Sequence, residues 1–363
     1  MTTTTTTLPP SADPRDYPTY GRPLWWRWLF TRESAVIALL VAIWIYALNN
    51  VAFFDGPLTI TFLLQDMTPI LLIALPMTLI IITGEIDLSV ASIVGLSSVL
   101  VGVLHQDGWS IPAAGVAALV VGLLCGALNG FLVAYVGLPS LAVTIGTLAL
   151  YRGLAVGLLG TKAVTDFPEK WTTKAKANIG DTPYPQVILI VILLALVFAI
   201  LLHFTSFGRG VYDIGLNTEA AHFTGVNVRR TKLILFMLAG VVSALAGIYY
   251  TLRFGSSRGD NATGLELRVI AAVLLGGVSI FGGRGRLHGV LAGVLLIGVI
   301  ASALRLEHYT VNVINIIIGL LLVVSVMSTS VLEWLSKTAS TRRNQRGPSP
   351  SVAPVGVGTE GRQ

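Results

Sequence analysis

Gly84-Glu85-Ile86-Asp87-Leu88-Ser89-Val90 sets two carboxylates in a stretch that is otherwise hydrocarbon, between an apolar run ending at Ile82 and another that continues through Leu104. A charge inside a bilayer costs from about 3 to more than about 10 kcal/mol, so such a pair marks either a function or a helix end that needs a cap. The surroundings confirm the setting. Of the 363 residues, 54% are hydrophobic and 12% charged, with a mean hydropathy of +0.78, whereas a soluble domain carries about 25% charged residues. Apolar runs recur along most of the chain, and a bilayer core about 30 Å thick is crossed by about twenty helical residues. Lipid offers no partner to an open strand edge, so the spans are helices. The fold class is all-α, a polytopic membrane protein.

The pattern predicts about ten transmembrane segments, 34–53, 58–83, 87–104, 111–136, 140–160, 186–203, 231–252, 266–281, 287–304 and 309–328. Residues 33–330 then form the membrane domain, 1–32 a disordered tail rich in Thr and Pro, and 331–363 a second, mostly disordered, basic tail. An even count puts both tails on one side, and their arginines and lysines place that side in the cytoplasm. The same threading sends Arg209, Arg229, Arg230, Lys232, Arg284 and Arg286 to the cytoplasm, whereas Lys162, Lys170, Lys174 and Lys176 fall outside, diluted by Asp166, Glu169 and Asp181. Trp25, Trp26 and Trp28 interleave with Arg22 and Arg27 ahead of the first span, as an interfacial anchor does. The expected location is the cytoplasmic (inner) membrane of a bacterium.

Pro69 and Pro76 are expected to break the second span. Glycine-rich stretches at Gly84 and at Gly276–Gly285 suggest interrupted helices, which transporters arrange around a central substrate path. Leu75–Leu104 and Val273–Ile300 share the order apolar run, glycine-plus-charge break, apolar run, a weak internal repeat. Small residues four apart at Gly122, Gly126 and Gly130, at Ala239, Ser243 and Gly247, and at Gly289 and Gly293 read as packing seams. Cys125, the one cysteine, lies in an apolar run and reads as a packing residue.

For Asp87 the simplest role is to cap the free amides of Ser89 and Val90 at a helix start. With Glu85 it could instead exchange protons in an ion-coupled secondary transporter, the rival reading. Asn129, Thr144 and Thr147 are polar groups at membrane depth that either bond across helices or face the path. Together, Asp87, Ser89, Asn129, Thr144 and Arg268 are the candidates for a translocation path or gate. The longest cytoplasmic loop, 204–231, contains Asn217-Thr218-Glu219-Ala220-Ala221-His222-Phe223-Thr224-Gly225, which predicts a short helix. Asn217 or Thr218 would cap its start, Glu219 suits the positive dipole end, and Gly225 would take the left-handed conformation at its close. His105, His203, His222, His288 and His308 lack metal-ligand spacing, and no G-x-x-x-x-G-K-[ST] loop occurs. No catalytic constellation, bound cofactor, metal or nucleic-acid partner is therefore expected, and the chain itself has no such loop with which to bind ATP.

These motifs, in order, resemble the membrane subunits of bacterial ATP-binding-cassette importers for monosaccharides, the ribose, rhamnose and autoinducer-2 permease group. The likeness runs from about Ala74 to Met327, through Gly84–Val90, Gly126-Ala127-Leu128-Asn129-Gly130, Leu138-Pro139-Ser140 with Thr144–Thr147, Asn217–Asn227, Glu266–Gly277 and Gly282–Gly289. Arg258-Gly259-Asp260-Asn261-Ala262 and Val278-Ser279-Ile280-Phe281-Gly282-Gly283 are most similar to the rhamnose and autoinducer-2 branch. The resemblance implies a non-enzymatic permease that dimerises or pairs with a paralogue and receives its solute from an extracytoplasmic binding protein. It also implies that Asn217, Glu219, Ala220, Ala221 and Gly225 belong to a coupling helix seated in a groove of the ATPase. Two residues depart from the family pattern: Glu85 stands where glycine is usual. Arg268 follows Glu266-Leu267 where an acid is usual, and Asp260, Asn261 and Glu266 are near enough to pair with it.

Overall fold

The computed structural model describes residues 31–324 and Met327, so both predicted tails and the Trp25–Trp28 anchor lie outside the described residues. The described chain is almost wholly helical: α1 (Arg32–Asn50), α2 (Pro57–Ile82), α3 (Val90–Gln106), α4 (Ile111–Phe131, with a π-turn at Leu132–Val136), α5 (Ser140–Leu159), α6 (Glu169–Lys176) and α7 (Val187–Phe204). There follow α8 (Ser206–Leu216), α9 (Thr218–Phe223), α10 (Val228–Phe254), α11 (Leu265–Leu275), α12 (Leu287–Leu306) and α13 (Val311–Val324). A two-residue ribbon pairs β1 (Ala163–Val164) with β2 (Ser257–Arg258) in antiparallel register.

Each predicted span finds a helix. Seven are long and apolar enough to cross a bilayer: α1, α2, α4 with its π-turn, α5, α7, α10 and α12. α3, α11 and α13 are shorter. The helices of the third and eighth spans are shorter than expected because the apolar composition runs on into turns and irregular chain, which composition cannot distinguish from helix. α3 begins only at Val90, and α11 stops at Leu275 where 281 was expected. The loop 204–231 is itself structured, as α8 and α9.

α2 is the axis of the molecule. Every residue from Met67 to Ile82 is buried, and α7, α10, α11 and α12 pack around it. The expected break at Pro69 and Pro76 does not occur, since α2 runs unbroken through both. Proline at 69 removes the amide that would bond the carbonyl four residues earlier. That carbonyl, Gln65 O, instead accepts the Tyr249 hydroxyl of α10 at 3.3 Å. The neighbouring helix thus supplies the missing donor, the usual condition for tolerating proline in a span. At the periphery, α7 exposes Leu189, Ile192, Leu193 and Leu196, and α5 exposes Leu141, Ile145, Leu154 and Leu158, as helices facing lipid must.

The small-residue seams lie where backbones touch. A Cβ on Gly126 would stand 2.2 Å from the Phe236 carbonyl, and one on Gly122 would stand 2.5 Å from Ala244 Cβ, so α4 and α10 meet main chain to main chain. Gly247 meets Val94 O of α3, and Gly289 and Gly293 meet the carbonyls of Gly276 and Ala272. In lipid this proximity is the main source of helix attachment. Substituting Gly126→Leu must push α4 off α10. The expected cost is about 1–3 kcal/mol, measured as a lower thermal unfolding midpoint in detergent, whereas Gly146→Leu on the open face of α5 leaves the midpoint unchanged.

Candidate functional site

The quoted heptapeptide is an unwound segment between α2 and α3, and its polar groups are met one by one. Gly84, at φ +80°, turns the chain. The Ile86 amide donates to Ser140 Oγ at 3.2 Å and its carbonyl accepts from Thr144 Oγ1 at 3.2 Å. Ser140 and Thr144, one turn apart on α5, therefore hold both backbone polar groups of a single residue that helix would otherwise satisfy. Asp87 is fully buried, and its Oδ1 accepts from both the amide and the hydroxyl of Ser89, at 2.9 and 2.7 Å. The expected cap is thus made to Ser89, with no bond to Val90. Asn129 Nδ2 donates to Ser89 Oγ at 2.7 Å, and Tyr151 OH donates to Asn129 Oδ1 at 3.3 Å and to the Cys125 carbonyl at 3.0 Å. Donors run in one direction, from Tyr151 through Asn129 and Ser89 to the Asp87 carboxylate, whose Oδ2 has no partner. Four of the five candidate path residues, Asp87, Ser89, Asn129 and Thr144, converge here from the unwound segment, α4 and α5. Thr147 bonds within its own helix, to Val143 O. Glu85 is not free: it forms an ion pair with Lys232 near the start of α10.

The second unwound segment, Gly276–Arg286, lies against the first. The Gly283 amide donates to Ile82 O at 2.8 Å, and this bond joins the C-terminal end of α2 to the α11–α12 connection. Gly215, near the end of α8, is wedged between them: a Cβ there would stand 1.8 Å from Ile82 O and 2.4 Å from the Gly283 amide. Tyr212 of α8 also donates to Gly285 O at 2.7 Å. Two residues beyond Gly215 the chain enters α9. Asn217 caps α9 by accepting from the Ala220 amide at 3.0 Å, and Gly225 closes it at φ +88°, both as the sequence predicts. Glu219 and Ala220 point outward, but Ala221 is buried and packs α9 onto the protein. Phe223 is 89% exposed, the most outward apolar side chain of this helix. A helix propensity scan has no means of marking Phe223, because its exposure depends on which face Ala221 buries.

Arg268 is the outlier. It stands at the opposite end of the molecule, and its Nη2 donates to Asn315 Oδ1 of α13 at 2.7 Å rather than meeting Asp260, Asn261 or Glu266. Asp260 is engaged instead by Arg258, at 2.9 and 3.2 Å. Arg152, absent from the sequence reading, is half buried in α5 and donates to the carbonyls of Gly259 at 2.9 Å and Asn261 at 2.7 Å. Its room comes from Gly95, where a Cβ would stand 2.5 Å from the guanidinium. A lone arginine inside a predicted span was the available signal, since such a charge must find partners in the protein.

Comparison with known proteins agrees with this architecture. A family profile described as branched-chain amino acid transport system / permease component matches residues 59–326. The chain is 35% identical over 316 residues to the autoinducer 2 import system permease protein LsrD of Klebsiella pneumoniae subsp. pneumoniae, covering 84% of this chain and 94% of that protein. The proteins of the same name from Yersinia enterocolitica and Photorhabdus temperata are 34% and 33% identical over 85% and 87% of the chain, and 97% of each relative is covered. No solved structure matches. With most of its length matched by the profile and by these relatives, the chain belongs to the branched-chain amino acid transport system permease family.

Proposed function

We propose that the chain is the permease subunit of an importer that moves a small polyhydroxylated solute of the autoinducer 2 type across the cytoplasmic membrane, driven by ATP hydrolysis on a separate subunit seated on α9. The solute assignment follows the relatives, which are named as autoinducer 2 import permeases, with ribose and rhamnose as the neighbouring choices. The single observation that carries the coupling is the position of Gly215. The segment that ends in α9 is wedged against both unwound connections, so displacement of α9 bears on Ile82 and Gly283 together.

In this reading the α9 end is cytoplasmic. Arg209, Arg229, Arg230, Lys232, Arg284 and Arg286 gather on the segments at that end, and residues 1–32 and 331–363 fall on the same side. An extracytoplasmic binding protein delivers solute at the other end, and a second permease copy or a paralogue completes the path. Asp87, Ser89, Asn129 and Thr144 shape its inner gate. The permease performs no chemistry on the solute. ATP binding by the partner favours one access state only through contacts that differ between states.

Vesicles reconstituted with this chain, its permease partner and the cognate ATPase subunits, and supplied outside with the binding protein and autoinducer 2, are expected to accumulate the solute only when ATP is present on the ATPase side. Accumulation by vesicles containing this chain alone under a proton gradient overturns the proposal. Replacing Phe223→Ala removes an exposed aromatic anchor worth about 2 kcal/mol at an interface centre. The expected result is about thirtyfold weaker ATPase binding, read by pull-down titration, with the thermal midpoint of the isolated permease unchanged.

A further inference from the structure

Toward the end opposite α9, α7 rests on α2 and the short helix α6 rests on α10. Between α7 and α10 opens a groove of about 520 Å³, a volume within the range of about 300–1,000 Å³ of small-molecule sites. Val187 and Leu189 of α7 form one wall, Leu245, Ile248 and Leu252 of α10 form the other, and Leu72 of the axial helix lies behind them. From Leu252 to Leu245 the trough follows α10 for about 10 Å toward the bilayer centre. Leu189 is also one of the side chains that α7 turns to lipid, so the hollow opens sideways into the membrane. The segment that bounds it is held in place. Gln65 Nε2 of α2 donates to Lys176 O at 2.9 Å, Thr61 Oγ1 donates to Pro183 O at 2.7 Å, and the amides of Ile179 and Gln186 donate to the carbonyls of Tyr184 and Ala177 at 2.9 and 2.8 Å. The groove is therefore shaped by the fold, and an apolar hollow of this kind stays dry, which leaves lipid chains to fill it.

Among the described residues of the lining, Lys174 of α6 is the one that carries a charge. It is exposed, and its ammonium stands 5.8 Å from the ring centroid of Trp171, which also lines the groove. Among the described residues it forms no ion pair. Lys170 stands one turn back on the same face of α6, and like charges at that spacing repel each other. The acids nearest in sequence, Glu169 and Asp181, pair with neither lysine. An indole and an unpaired ammonium beside an apolar trough repeat the order of parts in a phospholipid, phosphate at the interface and chains beneath it.

We propose that this groove binds an anionic phospholipid, with its phosphate on Lys174 and one acyl chain laid along α10 toward Leu72. In the orientation given above, the lipid belongs to the outer leaflet. The charge selects the headgroup. The ammonium of phosphatidylethanolamine would bring a third cation to Lys170 and Lys174, whereas the glycerol of phosphatidylglycerol brings only hydroxyls and leaves the phosphate charge unopposed. Lys174 can then lay its methylene stem along the indole while its ammonium meets the phosphate.

The test is native mass spectrometry of the full chain, delipidated in detergent and titrated with phosphatidylglycerol and phosphatidylethanolamine carrying the same acyl chains. Phosphatidylglycerol is expected to bind saturably at one site per chain, about fivefold tighter than phosphatidylethanolamine. Lys174→Ala is expected to abolish that preference and Lys174→Arg to keep it. Leu245→Trp, which fills the trough, is expected to weaken both lipids, and Lys162→Ala, outside the groove, to change neither. Each variant is first shown to be monodisperse and to retain the wild-type thermal midpoint, and Leu189→Trp replaces Leu245→Trp if that one fails. Equal affinity for the two lipids in the wild type, a preference that survives Lys174→Ala, or binding that rises without saturation alike in every variant overturns the proposal. A Leu189→Cys chain that forms a disulfide with a second copy in native membranes also overturns it, since the groove is then an interface between permeases.

Discussion

A main chain that leaves its helical ladder inside hydrocarbon must find other partners for every amide and carbonyl, at a cost of several kcal/mol for each one left over. Among the described residues the chain leaves the ladder at two facing segments, and the two departures answer each other. The carbonyl of Ile82, freed where α2 ends, takes the amide of Gly283, freed where α11 gives way to α12. Side chains complete the account, with Ser140 and Thr144 on Ile86 and Tyr212 on Gly285. The arrangement of α2, α5 and α8 about that meeting point follows from it, because each contributes a group that the unwound chain requires.

This reciprocity explains why acids sit there without being exposed or idle. Glu85 is neutralised by Lys232, and Asp87 receives a file of donors that begins on α5 at Tyr151. Replacing water by fixed donors lets a carboxylate remain at depth, and it keys α3, α4 and α5 to one another in a way that apolar packing alone does not. The vacant Oδ2 of Asp87 is the one acceptor of this group still without a donor.

Much of this was legible in the residues. The helical class follows from apolar runs, the breaks from Gly84 and Gly276–Gly285, the α4–α10 seam from four-residue glycine spacing, and the short α9 from Asn217 and Gly225. What failed were inferences about partners. Pro69 looks like a break until the Tyr249 hydroxyl, 180 positions downstream, is placed beside its orphaned carbonyl. Arg268 looks destined for the nearby acids until Arg258 takes Asp260 and α13 brings up Asn315. The role of Arg152 is hidden because its two nearest acceptors lie on a loop more than 100 residues away. Local pattern fixes where helices start and stop, but the partners of a polar group at depth are settled by packing between distant segments.

The solitary sulfhydryl has a practical meaning. Cys125 is the chain's only cysteine and is buried in α4, beneath the Tyr151 hydroxyl. Maleimides supplied from either face of a membrane meet a wild-type background that is close to silent. A thiol introduced on α9, or on the connection 255–264, would report its own accessibility undisturbed, so the sidedness of each half of the molecule can be mapped without first stripping native cysteines away.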